Sequence, residues 1–321
     1  MRTTFGGWAR TGGLVLGMVV SVCQAADKQY TPNDYKNAAI KCLQQRALEC
    51  AEGNWVYYLR FRPTDANAVA NYAMVMAQRE KYEAAIPQFE KAIDLGEGTY
   101  SLFASYADSL AKVGRTNDAI DWSYKALTVV PSLVDVRGKL AQLLLLQKRR
   151  HEALALLTSF DAHLESQGHP PYFAGQRIAI ESAIERAGAA SAAEQAALRL
   201  PKLGDHFFAP VTIGEARPAA FLLDTGASRT TFSEELLASS KAVHKVTRTD
   251  VAMKTADGRV VKARLVNIDS VKLGGFVLKN VSAIVCRACE PLLGQATLSQ
   301  FDIKSTRVQG VEFVTLVPRG P

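Results

Sequence analysis

Phe221-Leu222-Leu223-Asp224-Thr225-Gly226-Ala227-Ser228 decides how the second half of this 321-residue chain is read. Three bulky apolar residues run directly into Asp-Thr-Gly, and Thr230, Thr231 and Phe232 follow as a second short strand. Such a pattern delivers a carboxylate from a buried strand into a tight turn. An ionised acid placed directly after Phe-Leu-Leu is costly unless donors surround it. Gly226 lets backbone approach closely and leaves its amide pointing at the carboxylate, and Thr225 can donate a buried hydroxyl hydrogen bond.

Working outward, the flanking residues form short β-branched runs. Residues 207–213 and 219–223 make a hairpin into the turn, with Gly214 and Pro218 marking the bend. Residues 234–239 form a short helix or turn, and the runs 251–255 and 259–265 flank Ala256-Asp257-Gly258, a strong hairpin signal. Further strands fall at 266–273, 276–278, 281–285 and 311–317. Strands at this density predict a small all-β domain over 203–321.

The segment 222–228 resembles the active-site signature of retropepsin-like aspartic peptidases, and in particular their periplasmic bacterial branch. Pro291-Leu292-Leu293-Gly294, followed by Leu298, Phe301 and Asp302, resembles the apolar-apolar-Gly strand and short helix that brace the catalytic loop in that family. Members of the branch often carry Met or Asp where Gln295 stands. The resemblance covers about 110 residues, from Phe207 to the C-terminus, and implies Asp224, Thr225 and Gly226 as the catalytic loop. It also implies substrate binding at Ala227 and beneath a flap at Ala256, Asp257 and Gly258. Such enzymes use two facing carboxylates that share one proton, because two like charges about 3 Å apart cannot both ionise. This chain has one Asp-Thr-Gly, and Ala256-Asp257-Gly258 lies in a hairpin rather than after an apolar strand. The expectation is therefore a homodimer with two-fold symmetry, each subunit supplying Asp224.

The first half has a different period. Tyr82, Ala85, Ile86, Phe89, Ala92 and Ile93 recur 34 residues later as Thr116, Ala119, Ile120, Ser123, Ala126 and Leu127. A third copy stands at Arg150, Ala153, Leu154, Leu157 and Phe160. Pro63 and Pro131 fall where units should end. The spacing resembles the tetratricopeptide repeat (TPR), with units at 66–99, 100–133 and 134–167 and a degenerate one at 32–65. Small residues allow close approach of neighbouring helices, so a solenoid is expected over 26–188, capped by a helix near 171–187. A linker is expected over 189–202. Repeat arrays present a concave surface, which makes a protein partner the expected ligand; dimerisation through the repeats is the other role considered.

Composition bounds the rest. Residues 1–25 carry Arg2 and Arg10, an apolar run from Leu14 to Val22, and Cys23-Gln24-Ala25 before Ala26. This reads as a secretory signal cleaved after Ala25, too short to span a bilayer, and implies a periplasmic protein. Net charge is +7, and the segment from Ala26 to Leu200 has 20 basic and 20 acidic residues against 16 and 11 beyond it. Scattered cations without interleaved aromatics, behind an export signal, argue against nucleic acid. Cys42 with Cys50, and Cys286 with Cys289, are close enough in sequence to bridge in an oxidising compartment, and all four are read as structural. His151-Glu152 has no second His at helical spacing, and Ser228 lacks the closing Gly of a nucleophile elbow. No metal or cofactor is expected. The function expected is a dimeric periplasmic aspartic endopeptidase whose repeats recruit a protein substrate or scaffold. The alternative is a non-catalytic envelope adaptor binding peptides or partners through both domains.

Overall fold

The computed structural model describes residues 30–188, 197–254, 258, 260–287 and 289–319. The expected signal at 1–25, the linker segment 189–196, and Ala256 and Asp257 lie outside these residues. Helices pair with the period read from the sequence: α1 (Pro32–Gln44) with α2 (Leu48–Phe61), α3 (Ala66–Gln78) with α4 (Tyr82–Asp94), α5 (Tyr100–Lys112) with α6 (Thr116–Val129), and α7 (Val134–Leu146) with α8 (Arg150–Ser166). A last helix, α9 (Ala174–Ala187), covers the end of the stack. Local chemistry sets the starts. Thr31 and Asp34 cap α1 reciprocally ahead of Pro32, and the Asp65 carboxylate accepts the Ala68 amide at α3. Ala51, Ala85, Ala119 and Ala153 occupy the same position in successive units, and each is fully buried. A methyl group there lets the next helix approach closely, and a larger side chain would part the stack. Cys42 and Cys50 form a disulfide between α1 and α2.

The second half comprises β1 (Leu198–Leu203), β2 (His206–Ile213), β3 (Ala219–Leu223), β4 (Thr230–Ser233), helix α10 (Glu234–Ser240), β5 (His244–Lys254), β6 (Val260–Leu273), β7 (Phe276–Cys286), β8 (Leu292–Leu293), helix α11 (Gln295–Leu298), β9 (Phe301–Val308) and β10 (Val311–Pro318). Six strands close on themselves in the order β2–β3–β8–β4–β7–β6, with β6 returning to β2 through Val211 opposite Leu273. Phe221, Phe232, Val266, Leu273, Ala283 and Val285 fill the core. From this barrel β5 extends beside β6, while β1, β10 and β9 continue outward from β2.

Three expectations change. The linker expected over 189–202 gives way at Leu198 to β1, whose Leu198–Pro201 pair with Phe313–Leu316 of β10. The runs 260–265 and 266–273 form one strand, as do 276–278 and 281–285, because β6 and β7 pair almost throughout. A strand unforeseen in the sequence, β9, occupies 301–308; six of its residues, Asp302 to Arg307, are exposed and mostly polar, so the alternation that marks a half-buried strand is missing.

The two halves share a core. Helix α8 lies against β1, β2 and β3, with Ala155 buried in the barrel's cluster. Val311 and Phe313 of β10 sit in the cluster formed by Ile120, Tyr124, Leu140 and Leu157 of the repeats. The Phe313 ring meets Tyr124 edge-on at 5.1 Å and carries the Arg199 guanidinium 3.6 Å from its centre. Arg199 also reaches Asp121 at 3.4 Å. Next to this seam Glu152, 4% exposed, accepts the Tyr124 hydroxyl and pairs with Arg149. Burial pushes its carboxyl upward against the pull of Arg149.

Candidate active site

Asp224 emerges at the end of β3, whose apolar residues pair with β2 on one side and with β8 on the other. The pairing with β8 is parallel: the Leu222 amide donates to the Pro291 carbonyl and the Asp224 amide to the Leu293 carbonyl, each at 3.0 Å. The chain then turns. The Gly226 amide donates to Asp224 Oδ1 at 2.8 Å, as the residue pattern implied, and the Ala227 amide, not foreseen in that role, donates to the same oxygen at 3.2 Å. Among the described residues Oδ2 has no hydrogen-bond partner, and the carboxylate is partly exposed. A Cβ at Gly226 would lie 3.2 Å from Oδ1, so glycine keeps the amide close to the acid.

Gly294 brings the two crossing segments together. A Cβ at this position would lie 2.3 Å from the Arg229 carbonyl oxygen. Helix α11 follows at once and clasps the Asp224 loop: the Gln295 amide donates to the Ala227 carbonyl at 2.8 Å and the Ala296 amide to the Ser228 carbonyl at 3.1 Å. The Gln295 side chain donates to the Thr225 carbonyl at 2.9 Å, so this residue, where the resembled branch often has Met or Asp, has a structural role. Beneath lies a buried hydroxyl pair, Thr230 with Thr297 at 2.7 Å, and Thr230 Oγ1 accepts the Gly294 amide at 3.3 Å. Thr230, Gln295 and Thr297 were not singled out from sequence as site residues. Their one signal was adjacency to the two matching motifs.

The Thr225 hydroxyl departs from expectation: the residue is exposed rather than buried, because nothing among the described residues covers the turn. Asp224, Thr225, Gly226 and Ala227 thus form one loop. Of the expected flap, Ala256 and Asp257 lie outside the described residues. Gly258 is exposed with φ +85°, and the hairpin rises on the pairs Lys254–Val260 and Met253–Val261. Cys286 and Cys289 are disulfide-bonded and buried among Val251, Met253, Val261, Ala263 and Ile284. The small loop therefore buttresses the base of the hairpin, which makes it a staple by position. Among the described residues no cluster of three or more His, Cys, Asp or Glu could hold a metal, and no helix is long and apolar enough to cross a membrane.

A carboxylate held by two amides at the end of a barrel strand, clasped by a crossing strand and short helix, defines an aspartyl-protease-like loop. Residues 209–300 match the family model described as "gag-polyprotein putative aspartyl protease". Over these residues the β-domain is retropepsin-like, of the aspartyl protease type in fold, and it follows a TPR-like helical region. Solved structures similar to the chain include the MamA protein (13% identity, TM-score 0.37, covering 49% of this chain and 89% of that one). Another is YrrB, titled a TPR protein with an unusual peptide-binding site (23% identity, TM-score 0.40, 49% and 81%). A third is the TPR domain of Arabidopsis OM64 (12% identity, TM-score 0.34, 35% and 93%). Among curated proteins none matches the chain.

Proposed function

We propose that the protein is a periplasmic aspartic endopeptidase that works as a homodimer, with Asp224 of each subunit forming the catalytic pair. The observation that carries this reading is the state of Asp224: one oxygen is held by the Gly226 and Ala227 amides, and the other has no partner among the described residues. Such a loop is half of a two-carboxylate machine. With two copies facing each other, one carboxyl keeps a proton while the other is ionised. The ionised carboxylate takes a proton from water, whose oxygen bonds to the scissile carbonyl carbon, and the protonated carboxyl donates to the carbonyl oxygen. The resulting diol collapses as the amide nitrogen receives a proton and leaves. Thr225, exposed in one chain, supplies a hydroxyl for bracing the paired loops. The hairpin carrying Gly258 closes over an extended substrate and excludes water.

The helical region recruits a protein substrate or scaffold through its concave face. The test is cleavage of a denatured-protein mixture from acidic to neutral pH, beside Asp224→Asn and with a statine-type inhibitor. Cleavage lost in both controls supports the mechanism. Cleavage retained by Asp224→Asn overturns it, and a folded dimer that cleaves nothing returns the protein to the adaptor reading.

A further inference from the structure

At the end of the helical region Asp161 of α8 is fully buried, with both its oxygens engaged. Its Oδ1 accepts the Tyr172 and Phe173 amides at 2.9 and 3.0 Å, and its Oδ2 accepts Arg177 Nη1 at 3.2 Å. Arg177, on α9, then uses its other terminal nitrogen: Nη2 donates to the Pro218 carbonyl at 3.1 Å. The preceding residue is held as well, since Arg217 meets Glu181 of α9 at 3.1 and 3.2 Å. Two consecutive residues of the β-domain are thus gripped by the capping helix of the repeats.

Their place in the chain gives this grip its meaning. Pro218 immediately precedes β3, the strand that leads into Asp224. Proline fixes its own φ and has no amide N–H, so the carbonyl is the one backbone hydrogen-bonding group of Pro218 through which it can be anchored. Among the described residues β3 has only one strand neighbour at this end. β2 pairs with Ala219 to Leu222, but β8 reaches only Leu222 and Leu223, and α8 packs against the strand. The far end of β3 is set by β8 and α11, and the near end by helices of the repeat region.

We propose that Arg177 is a positioning residue for Asp224. Its guanidinium ties the start of β3 to a buried carboxylate of α8 and fixes how far along its axis, and with what twist, the strand presents the catalytic loop. The helical region is then a structural part of the active site as well as a recruiting surface. The planar fork of arginine is preorganised for this double contact, whereas the lysine ammonium is a single point of charge on a flexible stem and holds two oxygens less rigidly. This inference rests on the reading of Asp224 as catalytic.

The test compares the full chain with Arg177→Ala and Arg177→Lys, measuring kcat, KM and hydrogen exchange at the Leu222 and Asp224 amides. Because a small misplacement of reacting groups is costly, kcat for Arg177→Ala is expected to fall about tenfold with KM nearly unchanged. Millimolar guanidinium should restore it where equal sodium chloride does not, Arg177→Lys should recover only part, and both amides should exchange faster. Unchanged kcat with unchanged exchange overturns the proposal. So does a loss of kcat that tracks the unfolded fraction and leaves those amides protected. If the wild-type chain cleaves nothing, the peptidase reading falls, and exchange alone decides whether Arg177 holds the loop.

Discussion

Gly294→Ala tests the crossing on which the site is built. The added methyl carbon would stand 2.3 Å from the Arg229 oxygen, 2.4 Å from its carbonyl carbon and 2.8 Å from its nitrogen, where ordinary contact begins at 3.4 Å. All three are backbone atoms, so no side chain can swing aside. The segments must part by about 1 Å, and overpacking of this kind costs about 1–3 kcal/mol. Four hydrogen bonds run through the same few residues: Asp224 amide to Leu293, Gln295 amide to Ala227, Ala296 amide to Ser228, and Gly294 amide to Thr230. Weakening one or two of them adds about 1 kcal/mol each. A loss of about 3 kcal/mol corresponds to a fall in Tm of about 6–12 °C for a unit of this size. Turnover should fall about a hundredfold, since the displacement is delivered to the loop holding Asp224. Differential scanning calorimetry and a peptide-cleavage assay read the two effects. Gly53→Ala is the control of opposite sign. It lies inside α2 with nothing within 4 Å of the added methyl, and should gain about 0.5–1 kcal/mol. A Gly294→Ala protein melting with the wild type and equally active would refute the close crossing.

Other substitutions probe separate layers. Thr230→Val removes the hydroxyl shared by Thr297 and the Gly294 amide and should cost about 1–3 kcal/mol, read as a lower midpoint in urea with unchanged slope. Burial raises the Glu152 carboxyl above its ordinary 4.5, so the folded state binds the proton more tightly than the unfolded one. That contribution to stability is fully present below 4.5 and is lost as pH rises through the raised folded value. The Tm difference between the wild type and Glu152→Gln should therefore change across that window, and a flat difference would refute the assignment. The cleavage assay on Asp224→Asn and the exchange measurement on Arg177→Ala complete the set, one addressing the chemistry and the other the placement of the loop.

The helical half was legible because its packing is periodic and local. A buried alanine every 34 residues, at positions 51, 85, 119 and 153, is a one-dimensional signal that survives in the sequence. The barrel was legible wherever a strand alternates or a turn needs glycine. β1 was missed because Leu198-Arg199-Leu200-Pro201 follows an alanine-rich run and contains a proline, which cannot donate to a ladder. The seam was not legible at all. Nothing local marks Phe313 as a partner for Tyr124, or Pro218 as a partner for Arg177, because these contacts join residues far apart in the chain and depend on two domains being folded first.

The site divides along the same line. Asp224, Gly226 and Ala227 act within three residues of one another, and the Gly226 amide falls where the sequence puts it, while the Ala227 amide, read only as part of the cleft, joins it on the same oxygen. Thr225 does not follow, and its failure is instructive. A hydroxyl expected to be buried is exposed, although the Gly226 amide beside it meets the carboxylate as read. The local chain fixes where the side chain is attached and cannot supply what covers it. Under the proposed pairing the covering surface is the same loop of a second copy, so burial of Thr225 becomes a property of the dimer. Thr225→Val in the full chain should then leave the Tm of the monomer unchanged while weakening association and turnover together, measurable by sedimentation equilibrium beside the cleavage assay. A variant that dimerises and cleaves like the wild type would place the bracing contact elsewhere.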